Sequence, residues 1–292
     1  MAVELEIRDG DPWWLSPDIW VVPGSDPLGA PGIPVAGSSA FVWARVRNNG
    51  DTAVTNAEVR YYWADPSAGF DRNTANLIGS AFVSLNAGEV SEVLLLAPWV
   101  PEFVNNGHEC VFAEAFHPFL DPLPSSPAFN VPTDRHVAQR NLTVVQAAAN
   151  GFFAAKITQF NTSRLQTKFK LTAELADLKL LAPLAKSLNL RLDPKAKPGT
   201  VERLQYSDKP CPAATDLKKK KAASIEFALD GNRKTQRSLV GVHSGGPSLI
   251  HVKLLHLDRL IGGQSILVLP TDAKTDTRKT SARKATAQGV AA

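Results

Sequence analysis

Residues 39–54 read SAFVWARVRNNGDTAV. Val42, Ala44 and Val46 alternate with Phe41, Trp43 and Arg45, and Asn49-Gly50 then ends the run. A side-chain period of two marks an extended strand, and Asn-Gly supplies the backbone a tight turn needs. The same grammar recurs along the chain and constrains the fold more than any other feature. AEVRYYWAD puts Val59, Tyr61 and Trp63 on one face and Arg60 and Tyr62 on the other. NLIGSAFVSL runs into the turn NAGE, and VSEVLLLAPWVP, HECVFAEAF and RHVAQRNLTVV follow. With PDIWVV at the start, this makes about seven strands in roughly 130 residues, the count expected of an immunoglobulin-like sandwich.

The 292 residues are enough for two such cores. All six Trp precede AAANG at 147–151, where the composition shifts. The expected organisation is a sandwich over 1–147, a second over 148–270 and a basic flexible tail over 271–292. The second half has strand-like runs GFFAAKITQFN, QTKFKLTAEL, ASIEFAL, RSLVGVHS, SLIHVKLLHLD and GQSILVLP. Between them, LADLKLLAPLAKSL spaces Leu175, Leu178, Leu181, Ala185 and Leu188 near a helical period, with Pro183 inside. It reads as a short helical insertion or a leucine-rich loop. The fold class is therefore all-β, two Ig-like antiparallel β-sandwich domains in tandem.

In the first half, SPDIWVVPG…PVAGSSAFVWARVRNNGDTAVTNAEVRYYWAD…LNAGEVSEVLLLAPWVP…HECVFAEAF resembles the CARDB-type (cell-adhesion-related) Ig-like domains of bacterial surface proteins, over about residues 16–145. Those domains open on a "PDL" strand before a Gly turn. A strand ending V-x-N-x-G follows, and later a "G-E" turn leads into an apolar strand. The long Trp-rich loops here have no counterpart in that pattern. HVKLLHLDRLIGGQSILVLP near the end looks like the closing hairpin of similar modules. The resemblance implies adhesion, spacing or assembly rather than catalysis.

The chemistry-bearing residues agree with a non-enzymatic reading. VHSGGPSLI at 242–250 is one letter from a serine-protease nucleophile sequence, with His243 where Asp would stand. No partner segment supplies a base, and Gly245-Gly246-Pro247 between two strand-like runs reads as a hairpin turn. His251 and His256 fall on opposite faces of one strand, and His108 and His117 flank another, so neighbouring histidines do not chelate one ion. Asp65, Asp71, Asp121 and Asp134 lie in Pro/Gly-rich loops without the calcium-loop spacing and read as turn residues. Cys110 reads as a buried strand thiol and Cys211 as a loop residue, which is no disulfide framework. No catalytic residue, metal site or cofactor is expected. The net charge of +4 does not call for nucleic acid, and the runs DLKKKKAAS and DTRKTSARK read as a solvated loop and a tail, or as contacts to an acidic partner. The opening MAVELEIRDGDPWW has neither a basic nor an apolar leader region, and no run is long enough to span a membrane. Cytoplasmic synthesis is expected, with any extracellular or particle-bound destination reached by a route other than Sec.

The aromatics carry most information. If Val42, Ala44 and Val46 face the core, Phe41 and Trp43 face out; the same logic turns Val111, Ala113 and Ala115 in and Phe112 out, and Tyr62 also points out. A soluble monomer seldom leaves such rings bare. Cover is expected from the loops, the second domain or another subunit, and an exposed sugar-stacking platform is the alternative use. Trp13, Trp14 and Trp20 crowd DPWWLSPDIWVVPG at 11–24. Adjacent Trp13 and Trp14 point to opposite sides of an extended segment. One is expected to plug the first core and the other to meet a loop, the second domain or a neighbour. The candidate interface residues are thus Trp13, Trp14, Trp20, Phe41, Trp43, Tyr62 and Phe112. The partners expected are proteins in a homo- or hetero-oligomeric assembly such as a phage-like particle, an injection apparatus or a lattice. A carbohydrate-binding or cell-adhesion module is the alternative.

Overall fold

The computed structural model describes residues 1–64, 71–102, 110–161, 163–189, 197–208 and 217–270. Cys211, His108, Asp65 and the tail 271–292 lie outside these residues. Eight strands come first: β1 (Leu5–Glu6), β2 (Ile19–Pro23), β3 (Ala40–Asn48), β4 (Val54–Ala64), β5 (Asn76–Leu85), β6 (Val90–Leu94), β7 (Cys110–Phe116) and β8 (Val137–Arg140). In one sheet β3 is flanked by β1 and β2 and by β6; the other has the order β5-β4-β7-β8. All pairings are antiparallel. The two sheets close over a core of the expected inward faces: Val42, Ala44 and Val46 from β3, Val59 and Tyr61 from β4, and Val111, Ala113 and Ala115 from β7. The buried Tyr61 hydroxyl donates to the Val93 carbonyl across the sandwich at 2.8 Å, which satisfies the one polar atom that this core admits from the ring.

The second sandwich contains β9 (Leu142–Gln146), β10 (Phe152–Phe160), β11 (Thr167–Ala176), β12 (Thr200–Ser207), β13 (Ala223–Leu229), β14 (Lys234–Ser244), β15 (Ser248–His256) and β16 (Arg259–Leu269). A three-stranded sheet β10-β14-β12 faces a five-stranded sheet β13-β11-β15-β16-β9. Their shared core includes Phe153, Ile157, Leu171, Leu204, Leu239, Ile250, Val252 and Val268. The protein is an all-β chain of antiparallel sandwiches, and β9 against β16 is a parallel pair within it.

Two local features resolve ambiguous stretches. The leucine-rich segment folds as a 3₁₀ helix, Leu178–Leu184, followed by one α-helical turn, α1 (Ala185–Leu188). Asp177 caps it by accepting from the Lys179 amide. VHSGGPSLI forms the β14–β15 turn: Gly245 takes a φ of +81°, and His243 Nε2 lies 2.7 Å from the Gly246 carbonyl. This histidine serves the turn backbone.

RHVAQRNLTVV, read from sequence as one run of the first sandwich, is divided. β8 pairs with β7, whereas β9 pairs with β16 of the second sandwich. The chain changes sandwich at Asn141, ahead of the expected linker. Residues 147–151 instead form the turn into β10, where Gly151 donates to the Ala148 carbonyl. β8 is buried at every position and β9 is half-buried along most of its length, so no change of face marks where the hydrogen-bonding partner changes.

Candidate functional site

The crossover at Asn141 is also where the N-terminal segment meets the second sandwich. The Asn141 amide donates to the Trp14 carbonyl at 2.9 Å, its side-chain Nδ2 donates to the Gly263 carbonyl at 2.8 Å, and its own carbonyl accepts from Ser265 at 3.0 Å. The segment is anchored on β8 by a Leu15–Arg140 bridge and by the Ser16 amide donating to the Gln139 carbonyl. These bonds hold Trp14 over β15 and β16.

Trp14 is fully buried. Its indole Nε1 donates to Ser265 Oγ at 2.9 Å, and Ser265 Oγ lies 2.9 Å from His251 Nδ1. The ring meets Trp13 and His251 edge-to-face, with centroids 5.3 and 5.7 Å away. Gly263 makes the approach feasible, because a Cβ built there would lie 2.2–2.4 Å from three carbons of the Trp14 six-membered ring. Around the indole lie Leu15, Leu181, Leu184, Leu249, Leu267 and Leu269. The leucine-rich insertion thus roofs the junction. Burial pushes the His251 imidazolium down to about 4, with Lys253 adding to the effect. The ring is neutral at pH 7 and shares a hydrogen bond with the Ser265 hydroxyl, which itself accepts from Trp14.

Arg140 closes the junction from the other side. Its Nη1 donates to the Ile19 carbonyl at 2.6 Å and to Ser187 Oγ on α1 at 3.0 Å. Both partners are neutral, and burial lowers the guanidinium to about 10. Two carboxylate clusters brace the same N-terminal segment. The fully buried Asp18 carboxylate receives Arg8 at 2.8 Å and Arg45 and Arg47 at 3.1 Å. Burial alone would raise its pKa; the paired arginines outweigh that and hold it below the ordinary value. His136 sits between Asp134, 2.7 Å from Nδ1, and Asp121, 3.1 Å from Nε2. Asp121 Oδ2 also accepts from the Leu5 amide. Nearby, burial together with Glu6 and Asp134 pushes Asp9 up to about 7. Among the described residues no group of three His, Cys, Asp or Glu is arranged to hold a metal ion.

The other aromatics separate into two groups, each under its own loop. Trp20 and Trp43 stack with centroids 5.8 Å apart and planes 10° from parallel, beside Phe41, Val22 and Leu94. Arg45 covers the Trp20 ring, and the 24–39 loop folds back so that Trp43 Nε1 donates to the Pro27 carbonyl. On the opposite sheet, Tyr62 and Phe112 pack beneath Phe129 and Val131. Phe112 stacks on Phe129 at 5.0 Å, and the Tyr62 hydroxyl donates to Glu114, which Arg72 pairs. Trp13 is half-buried between this cluster and the junction. The seven aromatics therefore do not converge on one exposed platform; Trp20, Phe41, Tyr62, Phe112 and Trp14 are all buried within the chain. Sequence reasoning missed Arg140, His251, Gly263 and Ser265 as junction residues. Trp14 and Ser265 are 251 positions apart, and no local pattern links them.

Among the described residues no helix is long and apolar enough to cross a membrane. No family model matches the sequence, and no curated protein matches it. Solved structures with similarity include a CARDB domain from Pyrococcus furiosus in complex with di-metal ions, 20% identical, covering 42% of this chain and 84% of that one, with a TM-score of 0.26. Red sea bream transglutaminase is 11% identical and covers 87% of this chain and 31% of its own, with a TM-score of 0.24. The CupB6 tip adhesin from Pseudomonas aeruginosa is 9% identical and covers 92% of this chain and 98% of its own, with a TM-score of 0.23.

Proposed function

We propose that this chain is a non-enzymatic interaction module: two sandwiches joined as one stiff unit that presents its outer strands and loops to protein partners in a larger assembly. The observation that carries the reading is the junction. Trp14, Asn141 and Arg140 fix one sandwich on the other through an apolar cluster and directional hydrogen bonds. A stiff spacer needs that construction, because a bare linker leaves domains to move independently. Four buried titratable groups, Asp18, His136, His251 and His243, support the same reading, because they are engaged in holding the N-terminal segment or a turn. Partners of this kind belong to a phage-like particle, an injection apparatus or a protein lattice.

Small-angle scattering with mass photometry, on the full chain and on a 1–270 truncation, tests the proposal. A single rigid shape whose mass rises above 31.4 kDa with concentration is expected of the full chain. Scattering that requires two independently moving bodies, or turnover in a broad hydrolase screen, would overturn it.

A further inference from the structure

The inward face of β10 is apolar at Phe153, Ala155 and Ile157, all part of the second core. Gln159 occupies the next position on that face, where the alternation calls for another apolar side chain. It is 1% exposed, and among the described residues neither its Oε1 nor its Nε2 has a hydrogen-bonding partner. Other buried amides close by in the chain are engaged. Asn161 Nδ2 donates to the Leu165 and Leu229 carbonyls, and Gln264 Nε2 donates to Thr143 Oγ1 at 2.7 Å. A buried donor and a buried acceptor left unpaired on one side chain each cost free energy, and folded proteins rarely keep them so.

Gln159 lines a cavity of about 20 Å³. A single water molecule needs about 10–15 Å³, so the space takes one molecule of that size and no organic ligand. Ile157, Leu171, Val252 and Leu254 make the apolar part of the wall. Asn141 and Gln264 line it together with Gln159. Because Gln264 Nε2 is engaged by Thr143, its amide oxygen is the acceptor it has to offer here. The cavity lies on the core side of β16, whereas Trp14 packs against Gly263 from the other side.

We infer that this cavity is a binding site for one ordered water molecule, held by the Gln159 amide inside the second sandwich. The chemistry of the amide selects the occupant. Oε1 needs a donor and Nε2 needs an acceptor, and water is both. A metal cation would satisfy Oε1 alone and an anion Nε2 alone, while an apolar occupant would satisfy neither. Asn141 and Gln264 on the same wall bring the site toward the three or so hydrogen bonds that a buried water makes. The water links β10 to β16 beside Asn141, the residue at which the chain changes sandwich. The inference goes beyond the interaction reading and stands or falls without it.

A high-resolution crystal structure of the full chain, paired with urea melts of Gln159→Met, tests it. The wild type is expected to show a density peak within about 2.7–3.2 Å of the Gln159 amide, the spacing of a hydrogen bond. Gln159→Met keeps the length of the side chain without its polar atoms. It should lose the peak and melt at or below the wild-type urea midpoint, since the bonds removed were already satisfied. A wild-type cavity without density overturns the inference. So does a peak at the shorter distances of a coordinated cation, about 2.0–2.6 Å. A Gln159→Met midpoint well above the wild type also overturns it, because that gain is expected only of an amide buried with no partner. Should the variant not fold, the wild-type density decides alone.

Discussion

Removing the Trp14 indole tests the junction most directly, and Gly263 supplies the control. The ring is fully buried, so Trp14→Ala should lose about 3–5 kcal/mol in packing and cavity terms. The lost Ser265 bond contributes little beyond this, because the Ser265 hydroxyl keeps His251 as a partner. For a chain of this size the melting temperature should fall by about 10 °C. Gly263→Ala drives a methyl against the Trp14 ring, 2.2–2.4 Å from three of its carbons, and should destabilise the wild type by about 2–3 kcal/mol through overpacking. In the Trp14→Ala background that methyl has room, and its effect should drop below about 1 kcal/mol. The coupling in the double-mutant cycle would then exceed about 1.5 kcal/mol, well above the few tenths found for independent sites. Urea melts followed by far-ultraviolet circular dichroism give all four stabilities without relying on the fluorescence of the deleted tryptophan. Additivity within about 0.5 kcal/mol would refute the contact, and with it the account of why the sandwiches are held together.

Three further outcomes follow from the buried charges. Asp18→Ala leaves Arg8, Arg45 and Arg47 facing an empty site and should destabilise by about 3–5 kcal/mol in urea; a loss below about 1 kcal/mol would mean that solvent already screens the cluster. Asp9 has a folded pKa raised to about 7, so the stability it affects is present below about pH 4 and falls as pH rises through 7; Asp9→Asn should therefore stabilise the protein at pH 8 by about 1–2 kcal/mol and do little at pH 4, and a pH-independent effect would refute the assignment. His251 has a folded value lowered to about 4, so its neutral form is favoured by the fold and stability is lost as pH falls from about 6.5 to 4; His251→Gln should flatten that acid limb, and an unchanged limb would place the sensitivity elsewhere.

The alternation in β3, β4 and β7 was enough to choose core faces, because one residue of slip would turn Val42, Ala44 and Val46 to solvent. The same alternation required cover for Phe41, Trp43, Tyr62 and Phe112 without saying what provides it. That depended on loops whose residues obey no period. Pro27 and Phe129 reach their rings only because the 24–39 and 117–136 segments fold back. The junction was harder still. Its parts are a tryptophan near the start, an arginine at the end of β8, one helical turn and two residues of β16. Each has an ordinary local role, and only the fold makes them neighbours.

This has a consequence for where the chain can be divided. A cut at the compositional boundary, after 147, leaves β9 attached to the first sandwich. The second sandwich then lacks the strand that pairs with 265–269 of β16. It exposes a row of backbone donors and acceptors on a strand whose 264–269 stretch is otherwise buried. A cut after 141 restores β9 but still strips Trp14 from the cluster of Leu249, Leu267 and Leu269. Of the two fragments, 142–270 should therefore be the more soluble and more cooperative on heating, and 148–270 should aggregate or melt without a transition. Neither should match the intact chain. Adding a peptide of residues 8–20 to 142–270 should raise its melting temperature, since that segment carries the missing indole. If 148–270 proves as stable as 142–270, the parallel β9–β16 pair contributes nothing, and the boundary belongs where the composition alone put it.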